Sequence, residues 1–374
     1  MKSPALADAP RGQRAGWLGG AALLAAGAAG AFAPRLALPA ARFAAVAALQ
    51  PAIGCLIFTL IHRITGGRWG ETLRRPWAAG IRLVPWLWPV LAVVALCRAA
   101  RPDLPLPAGS APMPMASTLA IRAVIYEVIL MAVCAAALRP RFKPYAGPAL
   151  IVLVFTGHFL AADAFFVLEP GWYSTGFPLF WLACCAGAGL AVSLLAATGW
   201  SATSGRALTP DRVAETSAVG PSAPGGRAPP HTAPPRPVAL DWGNLLLTSI
   251  VFSTYLALME FLIIWSGNLP AEIAWFLRRE QGAWPWLAFG LALVHLGFPF
   301  LLLLSRRWKE SPRGMPIVAG IVAGAEILWA LWLVLPPFAD RGWGMAPFAI
   351  VFVAGGAAVW WRCYQALFAR EVIE

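Results

Sequence analysis

This sequence predicts an all-α integral membrane protein with about ten transmembrane helices, and three observations support that prediction. Hydrophobic residues make up 59% of the 374 positions and charged residues only 12%, a composition outside the range of ordinary soluble domains. Ten apolar stretches each approach the roughly 20 residues that a helix needs to cross the hydrocarbon core. No series of ten-residue segments alternates polar and apolar residues, so we exclude an outer-membrane barrel.

The candidate spans are separated mostly by short polar loops. The third and the last span are the shortest. In chain order, the ten spans lie at residues 15–33, 44–62, 82–98, 119–138, 148–167, 176–198, 243–266, 283–305, 315–337 and 345–362.

The distribution of positive charge predicts the orientation. With the N-terminus inside, the inner loops and both termini collect 21 Lys and Arg residues and the outer side collects 8. Such an asymmetry is typical of cytoplasmic loops, so we expect a multi-pass protein of a bacterial cytoplasmic membrane with both termini in the cytoplasm. The net charge of +12 is therefore a topology signal and does not indicate a nucleic-acid partner.

The first span resembles a secretory signal peptide in part. Arg11 and Arg14 precede an apolar run that ends in Ala31-Phe32-Ala33, a small-residue pattern found at cleavage sites. Pro34 would follow the cut directly, which is a poor cleavage context. We therefore interpret residues 15–33 as a retained first helix.

Two stretches interrupt the apolar pattern. Residues 199–240 are rich in Pro, Gly, Ser, Thr and Ala and have no apolar periodicity, so we expect a disordered cytoplasmic linker between helices six and seven. Residues 102–116 carry five prolines, and we expect them to cover the outer side.

Two outer loops look ordered. Residues 168–175 form a tight turn with interfacial aromatic residues. Helix seven is predicted to end at Gly267 and the chain to restart at Pro270, because proline is favoured at the first helical position. Residues 270–279 then predict a short helix on the membrane surface.

Six ionisable residues lie inside the candidate spans. A charged side chain in hydrocarbon costs several kcal/mol, so such residues are rarely tolerated without a partner, a water cavity or a function. They are Glu127, His158, Asp163, Glu260, His295 and Glu326.

Each of these residues has a functional and a structural interpretation. For Glu260 and Glu326 we favour a proton relay, the alternative being a neutral carboxylic acid hydrogen-bonded to a neighbouring helix. His158 and His295 fit a relay or a neutral tie between helices about equally. Asp163 has the further alternative of capping the outer loop at residues 173–175.

Motifs for a cofactor or a reaction are not evident in the sequence. Five of the six cysteines lie inside spans, and none forms a metal or haem-attachment pattern. No histidine arrangement indicates haem, and no nucleophile–base pair of a hydrolase occurs. We therefore expect no cofactor and no catalytic residue within this chain.

The sequence resembles one membrane-protein family in a series of motifs, of which Trp265-Ser266-Gly267-Asn268-Leu269-Pro270 is the most specific. The chain is similar to the ActF-type membrane subunit of bacterial alternative complex III, a quinol:cytochrome c oxidoreductase with a polysulfide-reductase-like (NrfD-like) membrane fold. The residues that carry the resemblance are His62, 65–70, Arg74, Arg75, Ile121, Arg122, Tyr126, Ala162, Asp163, Glu169, Pro170, 172–175, Tyr255, 260–273, 277–279, His295 and 299–306.

The resemblance implies two four-helix bundles with flanking helices. Residues 1–43 and 339–374 would hold the termini and flanking helices one and ten, residues 44–167 the first bundle, and residues 168–338 the second bundle with its linker. It also implies partner subunits: a multihaem cytochrome c, an iron–sulfur protein and a larger related membrane subunit. Quinol, haem c and the iron–sulfur clusters are then expected in those partners.

Together these observations predict a membrane subunit that provides part of a proton path and docks redox subunits. The acids and histidines named above are the candidates for the path. A purely structural scaffold of the same complex is the main alternative, and a stand-alone secondary transporter is a weaker one, because the broken helix at Gly267 lies at the outer edge and not at the midplane. The residues expected to dock partners are Trp172, Tyr173, Asn268, Glu272, Arg278 and Arg279.

Overall fold

The protein is an all-α integral membrane protein. A computed structural model describes residues 11–100, 116–169, 172–204 and 237–373, and every regular element in these ranges is helical. Nine helices in them are long and apolar enough to cross a membrane. A further apolar helical stretch, Gly16–Phe32, corresponds to the predicted first span.

The α-helices are numbered here in chain order, with short 3₁₀ and π segments between some of them. They are α1 Arg11–Phe32, α2 Pro34–Thr65, α3 Arg68–Glu71, α4 Arg74–Ile81, α5 Val84–Ala99, α6 Ala116–Leu138, α7 Ala146–Phe165, α8 Phe177–Ser204, α9 Val238–Gly267, α10 Pro270–Arg279, α11 Trp284–Leu291, α12 Phe298–Leu304, α13 Arg306–Glu310, α14 Gly314–Val334 and α15 Ala346–Ile373.

Several helix bounds differ from the prediction. The span predicted at 44–62 is the central part of α2, which has 32 residues and is separated from α1 by Ala33 alone. Pro39 and Pro51 lie inside α2 without ending it. Apolar periodicity located the membrane-crossing part, but it could not show that the helix continues to both sides.

The predicted linker at 199–240 is shorter than expected at both ends. Helix α8 continues to Ser204, because small residues such as Ala and Ser are compatible with a helix once one turn precedes them. Helix α9 begins at Val238, directly after Pro237. Residues 205–236 lie outside the described residues. The proline-rich stretch predicted at 102–116 also lies outside them, except for Ala116, which begins α6.

The short helix after the Gly-Asn-Leu-Pro motif is confirmed. Helix α10 spans Pro270–Arg279 with its proline in the first turn. The preceding helix α9 includes Gly267, and Asn268 ends it in a left-handed conformation with φ 49°. Its backbone N–H donates to the carbonyl of Ile264, which satisfies one of the last carbonyls of α9.

The long helices pack as two groups that share one core. In the first group α2, α5, α6 and α7 contact one another in sequence, and in the second α8 contacts α9 and α14, with α11 and α12 against them. Helix α2 joins the groups by its extensive contact with α8, and α1 packs against α15. This arrangement places the buried polar residues of the second group between α8, α14 and the segment from α11 to α12.

The contact between α2 and α8 depends on two glycines that allow the backbones to approach. A Cβ on Gly54 would overlap the carbonyl of Cys185, and one on Gly189 would meet the backbone of Gly54 closer than any real Cβ contact. Small residues serve this purpose in membrane bundles, because close approach increases the packing contacts between helices.

We predict that Gly54→Ala destabilises the protein by about 2 kcal/mol, since the added methyl group forces the two backbones apart. Thermal unfolding in detergent measures the effect. Gly324→Ala in α14 is the matched control, because a Cβ there meets nothing within 4 Å. Equal unfolding midpoints for the two variants would contradict the close α2–α8 contact.

Candidate functional site

A buried histidine–glutamate pair lies within the second helix group. His295 Nε2 is 3.0 Å from Glu326 Oε1, and each side chain is 2% exposed. The hydrogen bond requires one proton, carried either by the ring nitrogen or by the carboxyl group. Glu326 lies eight residues before the end of α14 at Val334, roughly 12 Å at about 1.5 Å per residue. The pair is therefore well inside the membrane.

His295 occupies a π-helical turn, Ala292–Gly297, that joins α11 to α12. Pro299 has no backbone N–H to donate to the carbonyl four residues earlier, which belongs to His295. The N–H of Phe298 donates instead to the carbonyl of Leu293, five residues earlier. Such turns are frequent at functional sites, and this one ends at Gly297, two residues before the proline.

Glycine and tryptophan residues shape the surroundings of the pair. A Cβ on Gly187 of α8 would lie 2.6 Å from Glu326 Oε1, so the carboxyl group fits against the bare backbone of that helix. The ring of Trp329 lies edge-on to His295 at 6.2 Å between ring centroids. These contacts fix both side chains in position.

Glu326 lines a cavity of about 210 Å³ between α2, α8, α14 and α15. Its Oε2 and the Nε2 of Gln50 are buried and have no hydrogen-bond partner of ordinary geometry among the described residues, although the Cys184 thiol is a hydrogen-bonding neighbour of the Glu326 carboxyl group. Both residues line this cavity, and Gln50 is 1% exposed. A water molecule occupies about 30 Å³ and needs polar partners. The cavity has room for several waters, and Gln50 and Glu326 are the amide and carboxyl groups in its otherwise apolar and aromatic wall.

Sequence reasoning missed Gln50. The search for functional residues covered ionisable side chains, and a lone glutamine in the apolar run of α2 was not considered. A polar amide in the middle of a membrane span is itself a signal, because hydrocarbon offers it no hydrogen bond.

Glu260 lies near the C-terminal end of α9, seven residues before Gly267. Its carboxyl group lies against Gly176, in the loop that precedes α8, with the hydroxyl of Ser174 as its hydrogen-bonding neighbour. Its Oε1 is buried without a partner in the described part of the chain. Glu260 is thus a second buried carboxyl group with unused hydrogen-bonding capacity.

One alternative predicted that Asp163 caps the outer loop at residues 173–175, and the structure contradicts it. Arg122 donates to its Oδ1 at 2.7 Å, the Tyr126 hydroxyl donates to Oδ2 at 2.9 Å, and Arg42 donates to its backbone carbonyl. Both carboxylate oxygens are therefore engaged, and the cluster ties α7 to α6 and α2. Ser174 instead accepts hydrogen bonds from the N–H groups of residues 176 and 177 at the start of α8.

Glu127 and His158 are not brought to the other candidates. Both are half-buried. Glu127 Oε2 has no hydrogen-bond partner among the described residues, and the His158 ring contacts that of Phe159. The structure gives no contact that joins either residue to the His295–Glu326 pair.

Two residues expected on the docking surface are buried. Trp172 is 1% exposed and its ring stacks on Trp275, while Arg279 is 2% exposed. Sequence reasoning placed them on the outer surface because they lie in or next to a loop and a surface helix. That expectation was wrong for these two side chains, since α10 turns Trp275 and Arg279 inward.

Arg279 forms a dense set of contacts. It donates to Glu169 Oε1 at 2.9 Å and to the backbone carbonyls of Trp332 and Leu333, and its guanidinium group lies 3.5 Å from the centroid of the Trp275 ring. Burial lowers the pKa of Arg279 to about 10, and the charge of Glu169 acts in the opposite direction. The guanidinium group is therefore still charged at neutral pH.

Glu169 is the centre of this cluster, a role that sequence reasoning did not assign. Arg278 donates to its Oε2 at 2.8 Å, so the carboxylate is held by two arginines. Burial raises the pKa of Glu169 and the two guanidinium groups oppose this. The cluster connects the loop before α8 to α10 and to the end of α14.

An exposed surface remains around this cluster. Tyr173 and Asn268 are exposed, and Glu272 is half-buried. The neighbouring Trp265 and Leu269 are also largely exposed. Of the six residues expected to dock partners, these three and Arg278 have side chains that reach the surface.

Within the described ranges, no three His, Cys, Asp or Glu side chains converge to hold a metal ion. No protein-family model matches the chain, and no curated protein matches it either. The assignment of the site therefore rests on its geometry and on the motifs in the sequence.

We predict that Arg279→Gln lowers the free energy of unfolding by about 3–5 kcal/mol, because it leaves the Glu169 charge buried with one of its two partners removed. Thermal unfolding in detergent measures the loss. Glu310→Gln is the control, since its ion pair with Arg306 is exposed and worth about 1 kcal/mol or less. A similar effect of both substitutions would contradict a structural role for the Glu169–Arg279 cluster.

Proposed function

We propose that this protein is an integral membrane subunit of a bacterial alternative complex III, a quinol:electron-acceptor oxidoreductase, and that it provides part of a proton path. The observation that carries the proposal is the buried His295–Glu326 pair, which lies beside a cavity that Glu326 and Gln50 both line. The motif resemblance is the basis for the proposed complex. The His295–Glu326 pair is the basis for the proposed role in proton transfer.

The chemistry of the pair suits proton transfer. Imidazole and carboxyl groups both gain and lose protons near neutral pH when their surroundings shift them, so a proton can move across the 3.0 Å contact. Waters in the cavity would then accept it from Glu326 Oε2 or deliver it there.

Glu260 extends this proposal toward the outer side. It lies near the outer end of α9 beside the loop that precedes α8, and one of its oxygens is also unpaired among the described residues. We assign to it the exchange of protons with the outer surface. Haem c, the iron–sulfur clusters and the quinol site belong, in this proposal, to partner subunits that dock around Tyr173, Asn268 and Glu272.

A structural scaffold is the second candidate, and two clusters favour it. Asp163 is bound by Arg122 and Tyr126, and Glu169 is bound by two arginines, so neither carboxylate has capacity left for a relay. The same chain can contain both kinds of site. The two proposals differ in what they predict for Glu326 and Glu260.

We predict that Glu326→Gln, and to a lesser degree Glu260→Gln, lowers quinol turnover or proton release by about tenfold or more, since each removes a group that gains and loses a proton. The assembled complex in vesicles, assayed for turnover and for protons released per quinol, gives the measurement. Glu310→Gln, at an exposed position, is the control.

The scaffold role predicts the opposite pattern. Both substitutions would then reduce the yield or the thermal stability of the complex and leave turnover per assembled complex intact. Unchanged turnover and proton stoichiometry in both variants would remove the proton path from the proposal.

Membership of the complex has its own test. We expect the chain, solubilised gently and captured through a C-terminal tag, to bring down a multihaem cytochrome, an iron–sulfur protein and a larger membrane relative. A chain that purifies alone and without haem absorbance would contradict the proposed complex and favour the transporter alternative.

A further inference from the structure

A second buried polar cluster lies close to the cavity of about 210 Å³. It consists of Cys55 on α2, Ser193 on α8 and Tyr364 on α15, each of which is 0% exposed. The Ser193 hydroxyl lies 3.6 Å from the Cys55 sulfur and donates to the carbonyl of Gly189 at 2.7 Å. It is also a hydrogen-bonding neighbour of the Tyr364 hydroxyl. These three side chains form the hydroxyl–thiol cluster.

The cluster lies about one helical turn beyond the wall of the cavity. Pro51 and Trp360 line the cavity. Cys55 and Tyr364 each lie four residues further along the same helices, about 6 Å at about 1.5 Å per residue. On α8 the cluster residue directly follows Val192, which also lines the cavity. Three of the four helices that enclose the cavity therefore also form the cluster.

The cluster lies on the side of the cavity toward the C-terminal ends of α2 and α15. Leu36 near the start of α2 lies beside Gly344, which precedes α15. Further along, Cys55 and Tyr364 lie beside the same residue of α4, Gly80. The two helices therefore run in the same direction, and both end on the side that the positive charge of the loops predicts to be cytoplasmic.

Stacking fixes the ring of Tyr364, while its hydroxyl group is poorly paired. The ring stacks on those of Trp360 and Trp361 at 5.0 and 5.6 Å between centroids. The hydroxyl is buried and has no hydrogen-bond partner of ordinary geometry among the described residues, although the Ser193 hydroxyl is a neighbour. Because burying such a hydroxyl costs free energy, packing alone favours phenylalanine at this position.

We propose that the hydroxyl–thiol cluster is the branch of the proton path that connects the cavity with the side where α2 and α15 end, and that the Tyr364 hydroxyl is its essential group. A hydroxyl oxygen accepts hydrogen bonds while the group donates its own proton. When a proton arrives at this oxygen, the proton already bound there leaves on the other side. One proton moves, and the side chain is unchanged. The inference rests on the proton path proposed for the His295–Glu326 pair and adds the route that leads to it.

A larger groove of about 1210 Å³ adjoins the cavity and offers the alternative route. The charged residues that line this groove, Arg82, Arg139 and Arg370, do not line the cavity. The junction is apolar apart from the ring nitrogen of Trp360, and water is disfavoured there because it needs polar partners. The residues that line both the groove and the cavity are Ala44, Ala48, Phe352, Gly356 and Trp360.

The test is the rate at which the His295–Glu326 pair exchanges its proton for deuterium in the full-length chain in phosphatidylcholine vesicles, followed by the infrared bands that Glu326→Gln assigns. Tyr364→Phe keeps the stacked ring and should slow the exchange by about tenfold or more, since it removes the group that passes the proton. Its thermal unfolding midpoint should be unchanged or raised, because the variant no longer buries the hydroxyl. Tyr145→Phe, at an exposed position, is the matched control and should leave the rate unchanged.

Ser193→Ala removes the second hydroxyl of the cluster and should slow the exchange as well, so the test does not depend on the folding of one variant. Exchange as fast in both variants as in the unaltered chain would overturn the role of the cluster, leave the proton path of the pair standing and point to the groove. A lower unfolding midpoint of Tyr364→Phe with unchanged exchange would show a structural hydrogen bond and overturn it too. A pair that does not exchange in the unaltered chain would contradict the proton path itself and this inference with it.

Discussion

The structure depends on one constraint, the cost of placing a polar group in hydrocarbon without a partner. Each buried polar cluster reduces this cost by pairing its polar groups with one another. Asp163 has two side-chain donors and Glu169 has two arginines, so these carboxylates are fully engaged and hold helices together. At the His295–Glu326 pair this pairing is incomplete within the described part of the chain, because Glu326 Oε2 and the amide nitrogen of Gln50 have no hydrogen-bond partner of ordinary geometry there. We place the proposed function at this pair because its hydrogen-bonding capacity is not fully used.

The backbone features that create this site are few and local. A π turn close to Pro299 in the eighth span sets the position of His295. Gly187 leaves space on α8 for the Glu326 carboxyl group. The glycine contact between α2 and α8 then brings Gln50 close enough to share the cavity. The polar site is thus a consequence of small residues and a proline in three helices, and no loop is needed to form it.

Much of the fold was predictable from the sequence, because the length of the apolar stretches is a direct consequence of the thickness of the bilayer. The short helix at Pro270–Arg279 was predicted correctly, since Pro270 marks its start. The orientation of side chains around a helix was not predictable. Arg279 and Trp172 were expected on the surface and are buried, and Glu169 and Gln50 were not recognised as site residues. These outcomes depend on which neighbouring helix covers each face, information that a single sequence with no pairwise contacts does not contain.

The most direct test of the central claim is whether the proton of the His295–Glu326 pair exchanges with water through the cavity. Infrared difference spectra of the protein and its Glu326→Gln variant, recorded after rapid transfer into D₂O, identify the bands of the pair and follow their isotope shift. The account predicts that these bands shift as fast as those of other water-accessible groups, and more slowly when Gln50 is replaced by Leu. Bands that remain unshifted while exposed groups exchange fully would show a sealed structural tie and contradict a proton path through this site.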